Sequence, residues 1–191
     1  MSWKDTLESD AVLLRIINGL RAQTVQPYDE INKKRGLQWE ASRLVTLAAG
    51  ATSYSIIKTG AQTVDLKQRA FAFDGVGITA SIYKSPTYTG GTPGVLYNFR
   101  TGTLTLPLTQ LIVEPTVTNN GTKCGADIFA IGPVSNQSKG QNLTIFPGNR
   151  ILEPNTTYLL TFTSRDTNAS QDVAARIEFY EGGLDYPNDD Y

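Results

Sequence analysis

Apolar and polar residues follow one another along this chain in two different rhythms. Between Thr6 and Leu20 the apolar residues Leu7, Ala11, Leu14 and Ile17, flanked by Leu13, Ile16 and Leu20, fall at helical spacing, with Ser2 as a cap and Gly19 as a stop. This spacing predicts a short amphipathic helix. A helix of about fifteen residues is marginal by itself in water, so its wide apolar side must pack on the protein's own body or on a neighbouring subunit. Residues 21–40 are polar and lack clear periodicity, and with Pro27 and Gly36 as breakers they read as an extended connector.

From Arg43 the rhythm changes to short β-rich runs. These are Arg43 to Leu47, Thr52 to Ile57, Gln68 to Phe73, Ile78 to Tyr83, Val95 to Phe99, Leu104 to Leu106, Thr116 to Thr118, Cys124 to Ile131, Leu143 to Phe146, Tyr158 to Thr163 and Val173 to Tyr180. Turn clusters separate them: Asp74-Gly75, Gly90-Gly91-Thr92-Pro93-Gly94, Asn119-Asn120-Gly121 and Gly132-Pro133. Many short strands punctuated in this way predict an all-β fold, an antiparallel β-sandwich or jelly roll, and not alternating βαβ units. The expected organisation is a helical and extended arm over residues 1–42, a sandwich body over 43–180 and an acidic tail over 181–191. Leu152-Glu153-Pro154-Asn155-Thr156-Thr157-Tyr158, followed by Leu159-Leu160-Thr161-Phe162, resembles the approach to a strand in fibronectin-type sandwiches. There a tyrosine hydroxyl bonds back to upstream backbone and pins the corner.

Composition supports one domain. A chain of 191 residues is long enough for a single well-packed core plus appendages. Hydrophobic content is 40%, and Thr, Tyr and Val lie where strands would use them. With 17 Lys and Arg against 18 Asp and Glu, the net charge of −1 leaves no long-range field to attract phosphate backbones, so a nucleic-acid partner is not expected. The basic run Lys33-Lys34-Arg35 sits between Asp29-Glu30 and Glu40 and reads as a self-neutralised, solvated face. Met1-Ser2-Trp3-Lys4-Asp5 lacks a positive n-region, and Arg15 and Asn18 interrupt an apolar run too short for a bilayer, so the expectation is a soluble product with no membrane partner.

The charges are also sorted. Residues 1–43 hold 13 of the 35, residues 44–176 hold 17, and the last fifteen residues carry five, all negative: Glu178, Glu181, Asp185, Asp189 and Asp190. A quiet body between a charged arm and an acidic tail suits a component held by neighbours.

Catalytic chemistry is scarce. The absence of histidine removes Ser–His and Cys–His nucleophilic catalysis, the commonest general base and most catalytic zinc sites. The single Cys124 excludes an internal disulfide framework and reads as a small hydrophobe on a strand entering the core. Carboxylate hydrolysis remains open to Asp65, Asp74, Glu114, Asp127, Glu153, Asp166 and Asp172, but most lie in or beside turns, where a carboxylate often serves only the backbone. Gly75-Val76-Gly77-Ile78-Thr79-Ala80 fits G-x-G-x-x-A yet runs into a strand, so it reads as a hairpin turn and not a dinucleotide site. The Gly90 to Gly94 loop lacks the lysine and helix of a P-loop and reads as a flexible connection. Sequons at Asn120, Asn136, Asn142, Asn155 and Asn168 are cheap matches in so Ser/Thr-rich a chain. The tail has no EF-hand spacing, and no cofactor or metal is expected. Its Leu184, Tyr186 and Tyr191 could anchor on a neighbour while the carboxylates meet Lys or Arg.

Two stretches carry a family resemblance. Ile82-Tyr83-Lys84-Ser85-Pro86-Thr87-Tyr88-Thr89-Gly90-Gly91-Thr92-Pro93, with Tyr97-Asn98 after it, and Ile151-Leu152-Glu153-Pro154-Asn155-Thr156-Thr157-Tyr158-Leu159-Leu160 resemble small virion proteins of tailed bacteriophages. The segment Ser2-Trp3-Lys4-Asp5-Thr6-Leu7-Glu8-Ser9-Asp10 fits the same family. The resemblance implies a capsid decoration, or cement, protein: non-enzymatic, a homo-oligomer and frequently a trimer, bound to the major capsid protein on the outer surface of the shell. Multivalent seating lets each contact be weak. Intersubunit contact is expected from Trp3, Leu7, Leu14, Ile17 and Trp39 in the arm and from Leu184, Tyr186 and Tyr191 in the tail. The alternative is a receptor- or glycan-binding module of a fibre or tail, using Tyr83, Tyr88 and Tyr97 near the Gly90 to Gly94 loop. A carboxylate hydrolase is the third reading.

Overall fold

A computed structural model describes residues 12–17, 20–25, 28–102, 105–132 and 142–182. In chain order its elements are β1 (Val12–Ile17), β2 (Leu20–Val25), α1 (Tyr28–Arg35), β3 (Gln38–Leu47), β4 (Thr52–Lys58), β5 (Val64–Phe73), β6 (Gly77–Lys84), β7 (Thr87–Thr89), β8 (Thr92–Pro93) and β9 (Tyr97–Asn98). After them come β10 (Gln110–Val113), β11 (Thr116–Asn119), β12 (Thr122–Lys123), β13 (Ile128–Ile131), β14 (Asn142–Leu152), β15 (Thr157–Ser164) and β16 (Gln171–Glu181). One sheet runs in the order β12, β6, β15, β4, β10, β8, with β13 also paired to β6. The other runs β14, β5, β16, β3, β9. The strands β7 and β11 form a separate ribbon, β1 and β2 a separate hairpin.

Alternation along the long strands sends one set of side chains between the two sheets. Ile57, Ile82, Tyr158 and Leu160 of the first sheet meet Trp39, Val64, Leu66, Leu152 and Phe179 of the second in one buried cluster. Ile78, Ala80, Ala130 and Phe162 meet Leu47, Phe71, Phe73 and Val173 in another. Each fully buried large side chain contributes roughly 1.5–3 kcal/mol, so these two clusters hold the sheets together. The fold is the expected all-β antiparallel sandwich.

The tyrosine corner is present. The Tyr158 hydroxyl accepts a hydrogen bond from the backbone N–H of Glu153 at 2.9 Å. Thr59 completes it, its hydroxyl donating to the Glu153 carbonyl at 2.7 Å and accepting from the Thr156 N–H at 2.9 Å. The turn before β15 is thereby fastened to the end of β4.

The structure departs from the sequence reading in the arm. Where a helix was expected over Thr6 to Leu20, β1 and β2 pair with Val12 opposite Val25 and Ile17 opposite Leu20, leaving Asn18-Gly19 between them. Val12, Ile16 and Ile17 are β-branched and stiff against a helical turn, and Asn-Gly between apolar runs is the strongest short hairpin signal. Residues 1–11 lie outside the described residues. Nor is 21–40 a connector, since it carries most of β2, all of α1 and the start of β3. Helix α1 ends in a Schellman motif at Gly36, whose φ is 74°. The Leu37 N–H reaches the Asn32 carbonyl at 2.9 Å and the Gly36 N–H the Lys33 carbonyl at 3.0 Å.

Other differences are local. Asp74-Gly75 is not a hairpin turn, because β5 and β6 belong to different sheets and the segment crosses between them. Gly77 enters β6 at φ 136°, where a Cβ would strike the Ala130 carbonyl. Cys124 lies between β12 and β13 and not within a strand, Thr105 and Leu106 form no strand, and of Val95 to Phe99 only Tyr97–Asn98 pairs. Glu178 and Glu181, counted with the acidic end, belong to β16.

Candidate functional site

Of the contact residues expected from sequence, Leu14, Ile17 and Trp39 fall among the described residues. Trp3, Leu7, Leu184, Tyr186 and Tyr191 lie outside the described residues. Leu14 and Ile17 are on β1. Trp39, offered as an arm contact, is instead a core residue at 5% exposure, because β3 begins at Gln38 and the register turns Trp39 inward beside Phe179. Tyr83, Tyr88 and Tyr97 sit on β6, β7 and β9, elements of three different sheets, and do not form one surface.

Six of the carboxylates are engaged by their own chain. Asp127 accepts from Lys123 Nζ at 2.7 Å and from the Ser81 hydroxyl, and Lys123 first, Ser81 second, hold its carboxyl below the usual range. Asp166 is likewise held low by the backbone N–H groups of Asn168 and Ala169, each at 2.9 Å. Asp74 accepts the Asp172 N–H at 2.8 Å, Asp172 accepts the Thr46 hydroxyl at 2.6 Å, and Glu153 pairs with Lys84 at 2.6 Å. Glu181 is buried and accepts from the N–H groups of Leu108 and Thr109 at 2.7 and 2.6 Å and from the Thr109 hydroxyl at 2.7 Å. A general acid needs a raised carboxyl pKa, the opposite of what Asp127 and Asp166 show.

The surface presents apolar side chains at strand edges. On β13, Phe129 and Ile131 are 56% and 66% exposed, two apart and so on one face, with the Arg165 guanidinium 5.8 Å from the Phe129 ring centroid. An exposed apolar edge strand is a ready template for another chain. Val95 and Tyr97 stand exposed where the segment after β8 crosses to β9, closing the side of the sandwich between β10 and β3.

Between the two hydrophobic clusters the interior is cationic, a feature that sequence reasoning missed. Arg43 donates through Nη2 to the Ser53 hydroxyl and, at 3.2 Å, to the Tyr54 carbonyl, and its guanidinium lies 5.2 Å from the Phe162 ring centroid. Burial lowers its pKa, with Glu114 opposing. Arg69 is pulled down to about 10, first by burial and then by Arg150, with the Cys124 thiol acting the other way. Arg150 donates to the Cys124 carbonyl. Burial pushes the Cys124 thiol up despite these cations, so it stays protonated and inert at neutral pH. Among the described residues no three potential metal ligands come together.

No family model matches the chain. No curated protein matches its sequence. Among solved structures, one of infectious bursal disease virus, Gt strain, aligns at 14% identity over 90% of this chain and 45% of that chain, with a TM-score of 0.22. The VP2 subviral particle of the same virus aligns at 11% identity over 89% of this chain and 46% of that chain, with a TM-score of 0.18. Both likenesses are loose, and this chain spans about half the length of the viral chains it matches.

Proposed function

We propose that this chain is a non-enzymatic structural protein of a tailed-phage virion, seated on the capsid exterior as an oligomeric decoration protein, with a trimer favoured. The observation that carries the reading is the exposed apolar edge of β13 on a sandwich several of whose carboxylates serve its own turns and strands. Such a body offers surface for attachment and few polar groups free for chemistry. The resemblance of the stretches 82–98 and 151–160 to phage virion proteins supports the finer assignment to a decoration role. Contacts come from the β13 edge, from Trp3, Leu7, Leu14 and Ile17 in the arm and from Leu184, Tyr186 and Tyr191 in the tail. Trp39 is withdrawn from that set by its burial.

The test combines the native mass of the isolated protein with its location in purified particles. The expected result is a trimer on the shell exterior, and a chain missing residues 1–25 that keeps its melting transition but loses shell occupancy. Unchanged occupancy overturns the arm's part. Binding to host cells or to a glycan array, with none to shells, overturns the whole reading in favour of a receptor-binding module.

A further inference from the structure

A cavity of about 300 Å³ lies between the sheets in the cationic layer. Its walls are largely apolar, with Phe71, Leu111, Val113, Leu160 and Ile177 among them, and Arg43 and Arg69 are the charged residues that line it. Each of these arginines keeps a buried Nη1 with no hydrogen-bond partner. Buried polar groups are nearly always satisfied, and a buried guanidinium nitrogen is a strong donor with nothing else to do. Each is therefore a donor open to an anion.

We propose that this cavity binds a small carboxylate carried on an apolar stem. The Arg69 guanidinium receives the head, whose planar pair of oxygens matches its forked donors, and the walls receive the stem. A phosphate fits less well, because the apolar walls offer nothing to its remaining oxygens. A cavity of about half this volume holds a benzene molecule, so the stem and head together come to about ten to twelve non-hydrogen atoms, the size of octanoate or phenylpropanoate. Burial of Arg69 without a carboxylate among its perturbing neighbours supports the site, since a bound anion would supply the missing charge. Gly94, Val95 and Tyr97 also line the cavity, on a segment held to β10 by the Gly94 N–H on the Leu111 carbonyl at 2.8 Å and presenting Val95 and Tyr97 to solvent.

Titration calorimetry on the full chain tests this without reference to any capsid. Octanoate should bind with a Kd below about 1 mM, octan-1-ol at least about tenfold more weakly, and inorganic phosphate not at all. Arg69→Met should weaken octanoate by at least about tenfold and leave octan-1-ol unchanged. If that variant does not fold, the comparison of the three ligands on the native chain still decides. Equal binding of octanoate and octan-1-ol, competition by phosphate at a similar Kd, or undiminished octanoate binding in a folded Arg69→Met protein would overturn the proposal. Displacement of octanoate by a peptide of residues 183–191 at lower concentration than octanoate itself would also overturn it, assigning the site to the chain's own acidic tail.

Discussion

At its two ends the sandwich interior is packed with aliphatic and aromatic side chains from both sheets, whereas its middle holds a cavity lined by Arg43 and Arg69, with Arg150 near enough to Arg69 to act on its charge. The ends follow the ordinary logic of burial, in which each large side chain stabilises the fold by a few kcal/mol. The middle works against it. Burial alone is enough to depress Arg69, and Arg150 depresses it further. Arg69 in the folded chain titrates at about 10, below the ordinary guanidinium range, so the penalty is fully present at neutral pH and is relieved only as pH rises through about 10. Stability therefore resides mainly in the ends.

Four measurements sharpen or break this contrast. The largest effect is expected at the sealed end: Phe73→Ala should cost about 3–5 kcal/mol in chemical denaturation, because Phe73 is almost fully buried and leaves a cavity behind. A loss below about 1 kcal/mol would mean the ends do not hold the fold. In the middle, Arg69→Met should leave stability unchanged or raise it by about 1–3 kcal/mol at pH 7, since a hydrophobic stem replaces a buried charge. A comparable loss would show that Arg69 has a compensating partner. At the seam of the sheets, Tyr158→Phe should cost about 1 kcal/mol by leaving the Glu153 N–H unpaired. The smallest effect is acidic. Asp127 and Asp166 have carboxyl groups held below their ordinary range, so their contribution is present above about pH 4 and is lost as pH falls through their folded values. Asp127→Asn should flatten the acid limb of a stability profile run from pH 6 to pH 2; an unchanged limb would remove Asp127 from the account.

The strands of the body were legible because their apolar and Thr-rich runs are bounded by turn clusters, and the tyrosine corner because its residues are local in sequence. The arm was not. The apolar spacing from Leu7 to Leu20 fits a helix, and only the Asn18-Gly19 pair between β-branched runs signals the hairpin. Gln110–Val113 passed unnoticed as a strand because four residues after Pro107 carry little periodicity.

The arginine layer shows how far alternation reaches. Arg43 shares parity with Trp39, Ala41, Val45 and Leu47, so its inward position could have been read from β3. Arg69 could not, because Val64 and Leu66 point inward at even positions whereas Phe71 and Phe73 do so at odd ones. A bulge makes the switch: Glu178 pairs with Gln68 and Phe179 with Leu66, skipping Lys67. No local signal in the sequence announces that shift. It depends on pairing with strands more than 70 residues away, β14 and β16, whose register slips at the same place.

The proposal that this sandwich attaches to a capsid is tested most directly by the sedimentation of purified protein with capsid shells stripped of it. The account predicts saturable binding to the shell exterior, weakened at least about tenfold when Phe129→Ser and Ile131→Ser together remove the apolar edge of β13. Protein that stays in the supernatant with the stripped shells, while remaining folded, would contradict it.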